Sequence, residues 1–152
     1  MDLGVFCHLL LYKLIIVCVM KLELYYDEIV SYVERNFLIR PQLVCVDESS
    51  IDVMYRVNRF LPAMTVRVRV DECCNGVVSL SYECSAAMSM MISGAIGHLG
   101  NDFVKGVDID TEKKRVMVRL GEIDVLEKPL KYVELDEISF YDSHIGVTAS
   151  LK

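Results

Sequence analysis

Residues 44–57 read VCVDESSIDVMYRV, and residues 107–120 read VDIDTEKKRVMVRL. Each is a β-rich run, an acidic turn and a second run in which valine alternates with polar residues. Alternation at period two puts the valines on one face of a strand. Aligned end to end, the stretches agree at Val44/Val107, Asp47/Asp110, Val53/Val116, Met54/Met117 and Arg56/Arg119. Each also follows a segment with helical spacing. Two readings of this likeness stay open: an internal duplication of an α-β4 unit, or two amphipathic hairpins made similar by alternation alone.

Working outward, Leu22, Tyr26, Ile29, Val30, Val33 and Phe37 recur at three- and four-residue intervals. That spacing predicts one apolar helix face, ending before Arg40-Pro41 because proline disfavours helical backbone in the residue ahead of it. Ile51, Val53, Tyr55 and Val57 then share one strand face. Met64, Val66, Val68 and Val70 share another, with Thr65, Arg67 and Arg69 opposite. Asn75-Gly76 is a strong hairpin signal, and Val78, Leu80, Tyr82 and Cys84 continue the alternation beyond it. A second helix is expected from about Ala86, with Met88, Ile92, Ala95, Leu99 and Phe103 on its stripe. Strands follow at 107–110 and 115–120, then a loop at 121–129 and a strand at 132–141 bent near Asp136-Glu137. The final strand carries Ile145, Val147, Ala149 and Leu151.

The fold class is therefore α+β: two helices packed on a strongly twisted antiparallel sheet of about eight strands, with two pseudo-repeated α-β4 units as the further expectation. In element order alone this is similar to duplicated cystatin-type units and to helix-wrapped sheets that bind lipids. An analogy of fold does not establish function.

The chain of 152 residues is 53% hydrophobic with a mean hydropathy of +0.36. Much of that excess lies in residues 5–20, VFCHLLLYKLIIVCVM, which His8 and Lys13 interrupt. A spanning helix needs about 20 apolar residues, and a secretory signal needs a basic start and small residues at its end. Residues 1–20 are read first as an apolar extension outside the mature domain, with a membrane anchor and a buried helix as alternatives. Residues 21–152 are read as a single α+β domain.

A net charge of −6 argues against nucleic acid, which a basic stripe would have to neutralise. Six cysteines without a C-x-x-C pair, two of them adjacent at Cys73-Cys74, fit a reduced, cytoplasmic compartment. Membrane association is expected only if residues 1–20 are retained.

Two groups of residues are candidates for a site. The second helix carries Met88, Met90 and Met91 with Gly94, Gly97 and Gly100. Methionine suits adaptable apolar surfaces, and interior glycines cost about 1 kcal/mol each against alanine, so they suggest a close approach: helix packing on the sheet, or a ligand against bare backbone. Arg56, Arg67, Arg69 and Arg119 all fall opposite the valines, as an anion-binding patch or as a solvated face paired with acids such as Asp52 and Glu83. The run Asp108, Asp110, Glu112 lacks the glycine and closing glutamate of a calcium loop. His8, His98 and His144 have no zinc-ligand spacing. There is no G-x-S-x-G elbow and no P-loop; a Cys84–His98 or Cys73–His144 pair would depend on the fold.

The expectation is a non-catalytic binding module without cofactor or metal, holding an apolar or amphipathic small molecule between helix and sheet through Met88, Met91, Gly94 and Gly97, with the four arginines as further candidates. The alternative is a protein-interaction or self-associating module, a homodimer built on a strand edge such as residues 145–151 or on the arginine face.

Overall fold

The structure is a computed structural model that describes Gly4 and residues 20–56, 58–99 and 105–151. The sequence reading of residues 1–3 and 5–19, the strand end at Val57 and the helix positions Gly100 and Phe103 lie outside the described residues.

The first strand among the described residues is β1, Met20–Tyr25, followed without a loop by α1, Tyr26–Phe37. The sequence reading began this helix at Leu22, and the structure moves its start. Leu22 and Leu24 alternate with Lys21 and Glu23, a period of two that pairs as a strand with the end of the chain. Tyr25 is extended, and the free amide of Tyr26 donates to the carbonyl of Ser143 at 3.1 Å, so a neighbouring loop satisfies one of the helix's orphan donors. Asp27 and Glu28 suit the positive end of the helix dipole. At the other end Leu38 turns left-handed (φ 58°), its amide bonds back to Glu34, and Pro41 follows.

Next come β2 (Gln42–Asp47), β3 (Ser50–Tyr55), β4 (Met64–Cys74) and β5 (Val77–Cys84), then α2 (Ala86–Leu99), β6 (Val107–Asp110) and β7 (Arg115–Arg119). These six strands form one antiparallel sheet in the order β2-β3-β4-β5-β7-β6. The turn between β4 and β5 is made by Asn75 and Gly76, both at positive φ (54° and 75°), as the two-residue hairpin expected from Asn-Gly requires. Alternation holds on β4: Met64, Val66, Val68 and Val70 are half-buried while Thr65, Arg67 and Arg69 are exposed.

After β7 the chain leaves the sheet through a 3-10 turn (Leu120–Glu122), a one-turn helix α3 (Asp124–Glu127) and a second 3-10 turn (Pro129–Lys131). β8 (Val133–Phe140) and β9 (His144–Leu151) then form a separate three-stranded sheet with β1, in the order β1-β9-β8. The expected single sheet of about eight strands is thus two sheets of three and six. The helical turns between 120 and 131 carry the chain away before β8 can extend the larger sheet. The bend expected near Asp136 is a register shift between Leu135 and Glu137 against β9.

The two halves are not built alike. All four strands after α1 share the six-stranded sheet, whereas those after α2 divide between the two sheets. The matched aspartates need no duplication. Asp47 Oδ1 accepts the Ser49 amide at 2.9 Å, and Asp110 Oδ1 accepts those of Glu112 and Lys113 at 3.1 and 3.0 Å. Both are turn-closing aspartates, which any acidic hairpin favours.

The core lies where the sheets and α1 meet. Tyr26, Ile51 and Phe140 are buried together, with Ile29, Leu43, Cys45, Val68, Val70 and Ile145 packed around them. Two polar ties fix the junction: Phe140 N to Glu48 O at 2.8 Å, and Tyr26 Oη to Tyr141 O at 2.5 Å. Burial pushes the Tyr26 phenol up to about 12, so it remains a donor. Among the described residues, no helix is long and apolar enough to cross a membrane.

Candidate functional site

The apolar face of the six-stranded sheet extends past the part that α1 covers. Register places Val68 beside Tyr82 on β4 and β5, Val70 beside Leu80, Leu80 beside Val116, and Val116 beside Ile109. α2 lies over this extension. It leaves β5 through Ser85, whose hydroxyl accepts the Met88 amide at 3.2 Å, a serine cap that sets where the helix begins. From there α2 meets the body chiefly at β4. Its half-buried positions include Met88, Ile92 and Ile96, at four-residue spacing on one face.

Between α2 and the sheet lies a groove of about 230 Å³, lined by Val66, Val68, Leu80, Ser81, Tyr82, Ile92, Ile109 and Val116, its accessible wall apolar throughout. Tyr82 is 7% exposed. Its hydroxyl is buried and has no hydrogen-bond partner among the described residues. Burial, with contributions from Cys84 and Asp110, pushes the Tyr82 phenol above its ordinary value, so it stays protonated. The hydroxyl is thus enclosed by the protein and adds no polar surface to the groove.

Of the helix residues singled out in the sequence, Met88 lies on the same face as Ile92, which reaches the groove. Met91 is 49% exposed, and Gly94 and Gly97 are exposed as well. A Cβ built on either glycine meets no atom of the described residues within 4 Å. These glycines are therefore not close-packed on the sheet, contrary to the close approach that their helical cost suggested. Tyr82 was not singled out, although a signal existed: it is the one hydroxyl-bearing side chain in the apolar series Val78, Leu80, Tyr82, Cys84, and a buried tyrosine hydroxyl normally finds a partner.

The arginines are not one patch. Arg67 grips Asp52 across strands with Nε–Oδ1 at 2.8 Å and Nη2–Oδ2 at 3.2 Å, holding that carboxyl below its usual range. Arg69 is two residues along β4 on the same face, with Nε 3.4 Å from the buried Ser50 hydroxyl. Arg119 sits at the far end of β7 and is engaged by Asp108 and by Glu122 (2.9 Å). Arg56 follows the end of β3 and is exposed. The hollow around Arg67 and Arg69 also contains Asp71 and Glu83, so its charge is mixed. A larger cleft of about 700 Å³ near Arg119 is likewise mixed, with Glu122, Glu127 and Lys131 in its wall. The smaller groove differs from both in that no charged residue lines it and its accessible wall is wholly apolar.

Cysteine and histidine are not brought together where both are described. Cys73 Sγ lies 3.9 Å from the Leu135 carbonyl, while His144 stacks on Tyr141 with ring centres 4.9 Å apart and lies against Tyr25 at 5.4 Å. The His98 side chain lies outside the described residues. Cys45, Cys73, Cys74 and Cys84 are free thiols, and burial raises the Cys73 thiol, away from the thiolate a nucleophile needs. Among the described residues, no three His, Cys, Asp or Glu side chains gather in a way that could hold a metal. Compared with known proteins, the chain matches no family model, no curated protein and no solved structure.

Proposed function

We propose that this protein is a non-catalytic binding module that takes a small apolar or amphipathic molecule between α2 and the six-stranded sheet. The observation that carries the reading is the groove itself: an apolar wall left open where a helix rests on a valine-rich sheet. Sites for small molecules are concave and mainly apolar, with few polar groups. At the roughly 30 Å³ that a water-sized heavy atom occupies in a liquid, 230 Å³ holds about eight non-hydrogen atoms, so the occupant is small. Ile92 closes the groove from the helix side, and Met88, one turn earlier, supplies adaptable surface beside it. Native mass spectrometry after mild purification tests this reading: a bound small molecule, lost when Ile92 is replaced by Glu, supports it. A protein that stays empty with a panel of small apolar compounds counts against it.

A second reading, self-association, draws on the outer face of α2. The helix contains no Asp, Glu, Lys or Arg, and Met90 is 77% exposed. The final strand cannot provide the edge for such pairing as the sequence suggested, because β9 is flanked on both sides by β1 and β8. Analytical ultracentrifugation separates the readings: a strict monomer removes the second, and a tight dimer that covers α2 weakens the first.

A further inference from the structure

We propose that β1 is the pairing edge of a homodimer, in which two copies of the chain join antiparallel about a two-fold axis at Leu22 and merge their three-stranded sheets into one. The inference is independent of the groove. An edge strand leaves a row of backbone donors and acceptors unpaired, and proteins guard it with charge, a bulge or a cover. Among the described residues the two sheets end on β2 and β6 and on β1 and β8. Three of these edges are guarded. β2 and β8 each carry a register shift, at Cys45/Asp47 and at Leu135/Glu137, and β8 also lies against β4. β6 is short, and in any register that stacks Val107 and Ile109 of two copies on one face its Asp108 and Asp110 meet aspartate. β1 has no such guard. It pairs with β9 in unbroken register from Met20 to Tyr25, and each of its residues is exposed, Leu22 at 56%.

The sequence of this edge, MKLELY, fits a second copy of itself. Met20, Leu22 and Leu24 lie beside Ala149, Val147 and Ile145 of β9, so they extend the apolar face of the small sheet, and Lys21 and Glu23 fall on the opposite face. With Leu22 opposite Leu22 of the second copy, Met20 stands opposite Leu24 and Lys21 opposite Glu23. Two-fold symmetry makes each of these contacts twice. A slip of one residue sets leucine opposite a charged residue and turns their side chains to different faces. The next registers that keep the faces aligned set Glu23 opposite Glu23 or Lys21 opposite Lys21, and like charges directly opposite are destabilising. One register therefore joins apolar to apolar and cation to anion, and backbone hydrogen bonds along the edge supply the attraction.

Sedimentation velocity of the full chain over a concentration series at low salt tests this pairing. The wild type is expected to form a reversible dimer, weakened about tenfold by Lys21→Glu and by Glu23→Lys, because either change turns both symmetry-related attractions into repulsions. The double variant K21E/E23K restores the opposition of charge and should dimerise as the wild type does. An equimolar mixture of the two single variants should form heterodimers more tightly than either variant pairs with itself. Both positions are on an exposed strand, so the variants are expected to fold, which circular dichroism checks. Amide exchange in the wild type gives a second readout: the amides of β1 should slow as concentration rises while those of α2 do not. A wild type that stays monomeric overturns the proposal, as does a dimer indifferent to the single reversals or one that protects α2 in place of β1. Single reversals that neither the double variant nor the mixture rescues refute the register and the pairing with it.

Discussion

The same chemical change, removal of a tyrosine hydroxyl, is expected to have opposite effects on stability at two buried positions. Tyr26 and Tyr82 are 6% and 7% exposed, so burial does not distinguish them. Their partners do. Tyr26 Oη donates to the Tyr141 carbonyl at 2.5 Å and ties α1 to the β8–β9 turn. Tyr26→Phe removes that bond and strands the carbonyl, at a cost of about 1–2 kcal/mol. Tyr82 Oη has no partner among the described residues, so Tyr82→Phe relieves a desolvation penalty of about 1–3 kcal/mol and loses only a few tenths of a kcal/mol of dispersion contact. The expected result is a gain of about 1 kcal/mol in the ligand-free protein. In a domain of this size each kcal/mol moves the melting temperature by about 2–4 °C. Urea unfolding followed by circular dichroism measures both variants, read as the shift in midpoint at unchanged slope. The variants should separate in opposite directions from the wild type. Equal destabilisation by both would refute the reasoning, because it would mean that the Tyr82 hydroxyl is bonded in the free protein.

Three further outcomes follow from the same geometry. Asp52 and Asp47 are held below their ordinary value of 3.8, Asp52 chiefly by Arg67 and Asp47 chiefly by the Ser49 amide. A carboxyl depressed in the folded state stabilises above its unfolded pKa and loses that contribution as pH falls through its folded one. Unfolding midpoints should therefore drop below about pH 4, and Asp52→Asn should flatten that slope; an unchanged slope contradicts the pairing. Gly94→Ala and Gly97→Ala face open space and should each favour α2 by about 1 kcal/mol, slowing its amide exchange roughly fivefold. Faster exchange would reveal something packed against them. Sulfate at millimolar concentration should leave the melting temperature unchanged, because Arg67 and Arg119 are already paired with acids; a clear rise would restore the anion site.

Much of the larger sheet is legible in the chain because period two is a local property. The valines at 66, 68 and 70 and the Asn75-Gly76 turn each declare themselves within a few residues. The allotment of strands to sheets is not local. Nothing in the sequence around β9 shows that β1 will pair with it, and Leu22 is compatible both with the helical spacing that reaches Tyr26 and with the alternation that continues to Leu24. Sequence spacing could not tell which residues of α2 face the groove: Ile92 lines it, whereas Met91, Gly94 and Gly97 are exposed. The arginines share a face by parity, as read, yet parity does not place Arg119 beside Arg67, and it cannot reveal that Asp108 and Glu122 fold back onto Arg119. Tyr82 drew no notice because a tyrosine in a strand satisfies the apolar pattern. Only the fold reveals that its hydroxyl is buried without a partner among the described residues.

The central claim is that the space between α2 and the sheet admits a small molecule. Methyl NMR of the full-length protein during titration with acetophenone tests it most directly. Saturable shifts confined to Val66, Val68, Leu80, Ile92, Ile109 and Val116, with the core methyls of Ile51 and Ile145 unmoved, are the result expected. Shifts scattered over the surface, or none up to the solubility limit of the probe, would contradict it.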